Sequence, residues 1–184
     1  MRIMKSEIFI QLRYQHLVCA ACVLFCSINL SAQDFEAKIQ ELGIELPAPG
    51  VPVANYVKAV RTGNLVFLAG HGPEKPGGGY VTGKVGKDLS VEEGYEAARL
   101  TAMALLSSLK KEIGSLNNVE RVVKVKGMVN AVEGFTQQPE VINGCSDMLV
   151  EIFGEKGKHA RAAVGMASLP RNIAVEIEMI VEVR

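Results

Sequence analysis

The 184-residue chain is 48% apolar and 22% charged, contains no tryptophan, and sets 20 Lys and Arg against 20 Asp and Glu. That length suits one domain with some chain left over, and the apolar share excludes a disordered polypeptide. A zero formal charge removes the basic surplus expected of nucleic-acid binders, and the body of the chain has no apolar run of about 20 residues that would span a membrane.

Arg2, Lys5 and Arg13 precede an apolar run from Leu17 to Leu30, which ends in the small residues Ser31 and Ala32. A basic start, an apolar run without amphipathic period and a small-residue end read as an export signal over residues 1–33, leaving 34–184 as one domain. The alternative is a buried N-terminal helix. A lipid anchor at Cys22 lacks the aliphatic residue such a site begins with, since Cys19-Ala20-Ala21 stand before it. Export predicts a periplasmic or secreted protein with no stable membrane association after cleavage; a cytoplasmic chain is the alternative. Removal of 1–33 takes three of the basic and one of the acidic residues, leaving 17 against 19, a net charge of −2. Cys145 would then stand alone, so no internal disulfide forms and the fold rests on its core.

Asp34 to Leu42 reads as a short amphipathic helix stopped by Gly43, and Pro47, Pro49, Gly50 and Pro52 break the chain into an extended lead-in. Tyr56–Val60 and Leu65–Ala69 read as strands joined tightly across Thr62-Gly63-Asn64. The prolines and three consecutive glycines of Pro73–Gly79 read as a mobile surface loop. Ser90-x-x-Glu93 is a capping box. It opens a helix whose Val91, Tyr95, Ala98, Ala102, Leu105, Leu109 and Ile113 share one face, and Gly114 ends it. Val119–Val129 is β-rich, Pro139–Phe153 is a second helix with Gly154 as its stop, and Arg161–Ser168 is strand-like. Leu169-Pro170-Arg171-Asn172 is a turn, and Ala174–Val183 is the last strand. The order β-β-α-β-α-β-β predicts an α+β two-layer sandwich: one mixed sheet with both helices on one face. The other face carries apolar residues with nothing in the chain to cover them, which predicts an interface.

Three carboxylates of the last strand, Glu176, Glu178 and Glu182, share one face by the period of two; a solvated strand face is the bland reading. Arg161 stands among few charges, and its planar fork suits a substrate carboxylate, although a simple ion pair with a glutamate is the alternative. His71 reads as a surface-loop histidine, with a proton shuttle as the alternative, and His159 as a surface or salt-bridging residue. Two histidines and one cysteine in 34–184 make a poor zinc set, so no metal is expected. Gly77-Gly78-Gly79 fits no phosphate-binding pattern.

Arg161-x-x-Val164, Leu169-Pro170 and Val175-Glu176-Ile177-Glu178 together resemble the C-terminal signature of the Rid family, the reactive intermediate deaminases also called YjgF or L-PSP. Asn55–Val60 and Gly63–Gly70 resemble that family's opening hairpin, so the likeness covers most of 51–184. The resemblance implies a chorismate-mutase-like fold, a homotrimer with sites in the clefts between subunits, and no cofactor. RidA members hydrolyse enamines and imines made from amino acids, such as 2-iminobutanoate and 2-iminopropanoate, to a 2-oxo acid and ammonia. By position, Arg161 matches the clamp on the substrate carboxylate, Glu176 the residue that positions the attacking water, Tyr56 a pocket wall and Asn143 a pocket asparagine. Ala163 falls where many members carry a cysteine whose main-chain amide touches substrate. The sequence departs from the pattern in a longer Ala131–Pro139 segment, in Asn143-Gly144-Cys145-Ser146, and in Gly70-His71-Gly72-Pro73.

The expected function is therefore hydrolytic deamination of a small carboxylate-bearing imine. A non-catalytic trimeric binder of small carboxylates or 2-oxo acids is the alternative. Ribonuclease activity fits poorly with few aromatics and an acidic balance, and chorismate mutase activity rests on fold analogy alone.

Overall fold

The structure, a computed structural model, describes residues 34–184 apart from Val51 and Val53; the export segment read over 1–33 lies outside the described residues. The first described helix, α1 (Phe35–Glu41), is too short to persist alone and is pinned by its capping groups. The Asp34 carboxylate accepts the Ala37 N–H at 3.0 Å, and Asn117 Oδ1 accepts the Phe35 N–H at 2.7 Å. Phe35 and Ile39 are buried, and Phe35 meets Phe153 edge to face with ring centres 4.8 Å apart.

Strands β1 (Ala59–Thr62) and β2 (Leu65–His71) form the predicted hairpin, with Thr62 opposite Leu65 across Gly63-Asn64. The first strand lies later in the chain than Tyr56–Val60. Pairing runs outward from the tight turn, so Arg61 and Thr62 join the ladder and Tyr56 and Val57 stay exposed outside it. Next come α2 (Val91–Ile113), β3 (Val119–Asn130), α3 (Gln138–Phe153), β4 (Ala160–Met166) and β5 (Val175–Val183). The capping box of α2 is formed: Ser90 Oγ accepts the Glu93 N–H at 3.1 Å, and the Glu93 carboxylate accepts the Ser90 N–H at 2.8 Å. Its buried face is wider than the predicted stripe, taking in Ala97, Thr101, Leu106 and Ser108, because sheet, α3 and lead-in all pack on it. Pro47 of that lead-in accepts a 2.6 Å bond from Ser107 Oγ.

The five strands among the described residues form one sheet in the order β1-β2-β5-β3-β4, antiparallel except for β3 and β4. That parallel pair requires a crossover, which α3 supplies. Val175, Ile177, Met179, Val181 and Val183 of β5 are buried in the core shared with α2 and α3. Glu176, Glu178 and Glu182 occupy the opposite face, which carries no helix among the described residues. This is the expected α+β two-layer architecture. Val60, Phe67, Val164 and Met166 are exposed, as an unpartnered apolar face requires, and Lys126 and Glu178 meet at 3.5 Å between them on that face.

His71 departs from the surface-loop reading: it belongs to β2 and is only 2% exposed. A bulge between Leu68 and His71 inserts one residue into the strand, which turns His71 onto the helix side opposite buried Ile177. Its Nδ1 lies 2.6 Å from the Ala69 carbonyl and its Nε2 2.8 Å from Ser108 Oγ. A carbonyl only accepts, so Nδ1 carries the proton and Nε2 accepts from the serine hydroxyl. Both nitrogens are engaged within the core, which leaves no free one for a proton shuttle.

Candidate functional site

Glu176 lies in the row Val164–Met128–Glu176 across β4, β3 and β5, on the face opposite α2 and α3. It is half-buried, and burial pushes its carboxyl above the usual carboxylate range; neighbouring Glu178 adds to the rise and Lys126 opposes it. A carboxyl so placed is a candidate acid–base group. The β2 bulge makes room for it: a Cβ at Gly70 would meet the Glu176 carboxylate and push it out of this position. Glu176 opens onto a cavity of about 640 Å³, whose walls include Tyr56, Lys58, Glu74, Tyr80 and Arg171. Tyr80 and Glu74 belong to the 73–80 segment, which is a closed turn: Lys75 and Gly79 are bonded backbone to backbone at 3.0 Å, and Glu74 pairs with Tyr80.

Arg161 sits elsewhere. It pairs in register with Val125, a core residue, so its side chain leaves the sheet on the helix side at the β4 edge. Its Nη1 donates to Asn143 Oδ1 at 2.8 Å and to Ser146 Oγ at 3.1 Å, both on the adjoining face of α3. Ser146 Oγ is in turn 3.1 Å from His159 Nε2, and His159 Nδ1 is 2.6 Å from the Gly157 carbonyl. The carbonyl fixes the tautomer, so the relay runs Arg161 Nη1–H to Ser146 Oγ–H to His159 Nε2. Burial holds the His159 imidazole below its ordinary range, which favours the neutral ring that the relay needs. His159 is therefore a support for Arg161 and not the surface or salt-bridging residue read from sequence. Both arginine bonds use Nη1. Nε and Nη2, with no partner among the described residues, remain for a carboxylate fork.

Ala163 faces the same side as Arg161 and packs against the core, while Val164 faces the other. Because β4 is an edge strand among the described residues, one row of its main-chain amides has no strand partner there. The structure thus brings Arg161, Asn143 and Ala163 together at one edge, and Glu176 and Tyr56 together at a cavity on the opposite face. One chain does not join the two sets.

A family model described as "YjgF/chorismate mutase-like, putative endoribonuclease" matches residues 36–183. The chain belongs to the YjgF/chorismate mutase-like family. This family member is 44% identical over 147 residues to Protein TCP17 of Trypanosoma cruzi, covering 79% of the chain and 92% of that protein. It is 30% identical over 140 residues to a 2-iminobutanoate/2-iminopropanoate deaminase of the mite Dermatophagoides farinae, covering 75% and 93%. Among solved structures, a protein of unknown function from Agrobacterium tumefaciens superimposes with a TM-score of 0.76 at 43% identity, covering 83% of the chain and 96% of that protein.

The departures of this YjgF-type chain from the expected pattern have local causes. A Cβ at Gly144 would collide with the Tyr95 carbonyl, so α3 packs on α2 only with glycine there. Cys145 points into the core, where burial pushes its thiol up to about 12, which makes it a packing residue and not a nucleophile. Asn143 and Ser146 flank that pair and face Arg161. Three contributors escaped sequence reasoning: Gly70, Ser146 and the cavity cations. A glycine inside an apolar strand was the available signal for the first; Ser146 had none, since its role depends on the angle at which α3 crosses β4.

Proposed function

We propose that this chain is a hydrolytic deaminase of small carboxylate-bearing imines and that it works as a homotrimer. The observation that carries the reading is the division of the site. A guanidinium with a free fork lies on one side of the sheet, and a half-buried carboxyl above a cavity lies on the other. A second copy docked on the open, partly apolar sheet face would bring the carboxyl of one protomer to the arginine of its neighbour. The deaminase named among its relatives supports the same chemistry.

The reaction is R–C(=NH)–COO⁻ plus water giving R–CO–COO⁻ plus ammonia. Arg161 holds the carboxylate by two parallel charge-assisted bonds. Glu176 takes a proton from water as its oxygen bonds to the imine carbon and the C=N π pair moves to nitrogen, and it returns that proton to nitrogen to give the carbinolamine. The carbinolamine hydroxyl proton then passes through Glu176 to the same nitrogen as the C=O bond forms, the C–N bond breaks and ammonia leaves. The imine carbon is already electrophilic, so positioning of water and substrate supplies most of the rate. An amino-acid oxidase that generates imines in situ from several amino acids provides the test. The full chain is expected to release ammonia from at least one imine faster than spontaneous hydrolysis. Binding of 2-oxo acids without accelerated ammonia release from any imine would contradict catalysis.

A further inference from the structure

We propose that the cavity beside Glu176 holds a second carboxylate, so that the preferred substrate is a dicarboxylic imine and the product a dicarboxylic 2-oxo acid; this rests on the deaminase reading above. The cleft of about 640 Å³ on one chain leaves room beside Glu176 for a longer tail than the methyl or ethyl group of 2-iminopropanoate or 2-iminobutanoate. Its walls present three cations, Lys58, Lys75 and Arg171, against the two carboxylates Glu74 and Glu176. None of the three cations is in an ion pair among the described residues. An apolar substrate tail would strip water from these charges and give nothing back, whereas a carboxylate meets them with charge-assisted bonds. The surplus of one positive charge matches a single carboxylate better than a dianionic phosphate.

The backbone supplies an independent observation. Arg171 has φ 56° and ψ 19°, the left-handed region that a non-glycine residue rarely adopts. Such a conformation persists only where its surroundings over-determine it, and it concentrates at ligand sites. Here fully buried Asn130 does so. Its Nδ2 donates to Asn172 Oδ1 at 2.9 Å and to the Gly83 carbonyl at 3.3 Å, and its Oδ1 accepts from Lys84 Nζ at 3.2 Å. A polar network centred on buried Asn130 thus holds the turn at Asn172, beside Arg171, which lines the cavity and has no ion-pair partner among the described residues.

The test compares 2-oxoglutarate with 2-oxopentanoate, five-carbon oxo acids that differ by the terminal carboxylate, by calorimetry on the full chain. One satisfied charge-assisted contact predicts that 2-oxoglutarate binds about 10- to 100-fold tighter. Arg171→Gln is expected to bring that ratio towards one. Arg171→Gly does the same while relieving the backbone, so a folding defect cannot explain the loss; Arg171→Lys keeps part of the preference. Equal affinities in the wild type, or a ratio that survives Arg171→Gly, would overturn the inference while leaving the deaminase reading in place. Failure of both acids to bind, together with no ammonia released from any imine, would overturn both.

Discussion

Glu176→Gln is expected to lower kcat by about 10²- to 10⁴-fold with little change in KM, the range for loss of one acid–base group. The amide keeps the size of the side chain and its place above Gly70, but it can no longer take the proton of the attacking water. Arg161→Lys is expected to fail differently, raising KM steeply. An ammonium is a point charge without a fork, and it cannot both donate to Asn143 and Ser146 and present two parallel bonds to a carboxylate. Steady-state ammonia release over a range of imine concentrations separates the two. Because burial raises the Glu176 carboxyl, the acid limb of kcat/KM should fall above the ordinary carboxylate range. A shared loss of kcat in both variants, with KM unchanged, would show that Arg161 is no clamp.

Acid pH is expected to destabilise the fold through His71. Its imidazole is lowered from 6.5 to about 4, chiefly by burial, so the folded chain keeps it neutral where the unfolded chain takes up a proton. Stability from this group is complete above pH 6.5 and is lost as pH falls towards 4. Between pH 7.5 and pH 5 the loss is about 2 kcal/mol. His71→Gln removes the titration. Denaturant unfolding of both proteins at the two pH values isolates this contribution, because raised Glu176 and lowered His159 act equally in each. Parallel pH dependences in wild type and variant would contradict it.

Elements whose signals are local were legible in the sequence. The Ser90–Glu93 box, the glycines after both long helices and the alternation of β5 each fix a boundary or a face from a few neighbouring residues, and the structure follows them. His71 departs from its reading because a bulge is a pairing event: Gly70 inside an apolar strand hints at one, but only the pairing with β5 shows that β2 gains a residue between Leu68 and His71. His159 was misread for a related reason, since its partner Ser146 reaches it only through the packing of α3 beside β4. The resemblance to the Rid family supplied Arg161, Asn143 and Glu176. It could not supply their separation within one chain, which depends on register: Arg161 stands beside core residue Val125, and Glu176 beside Met128 on the far face.

That separation sets the decisive measurement. Arg161→Ala and Glu176→Gln chains, each inactive alone, are co-expressed with different affinity tags, and the mixed oligomers are assayed for ammonia release. In a closed trimer each cleft joins unlike surfaces of two neighbours. Random assembly then leaves about a quarter of the clefts with both residues intact, and about a quarter of wild-type activity returns. If each site were built within one chain, every site would lack one residue, and mixing would restore nothing; that result would contradict a site shared between subunits.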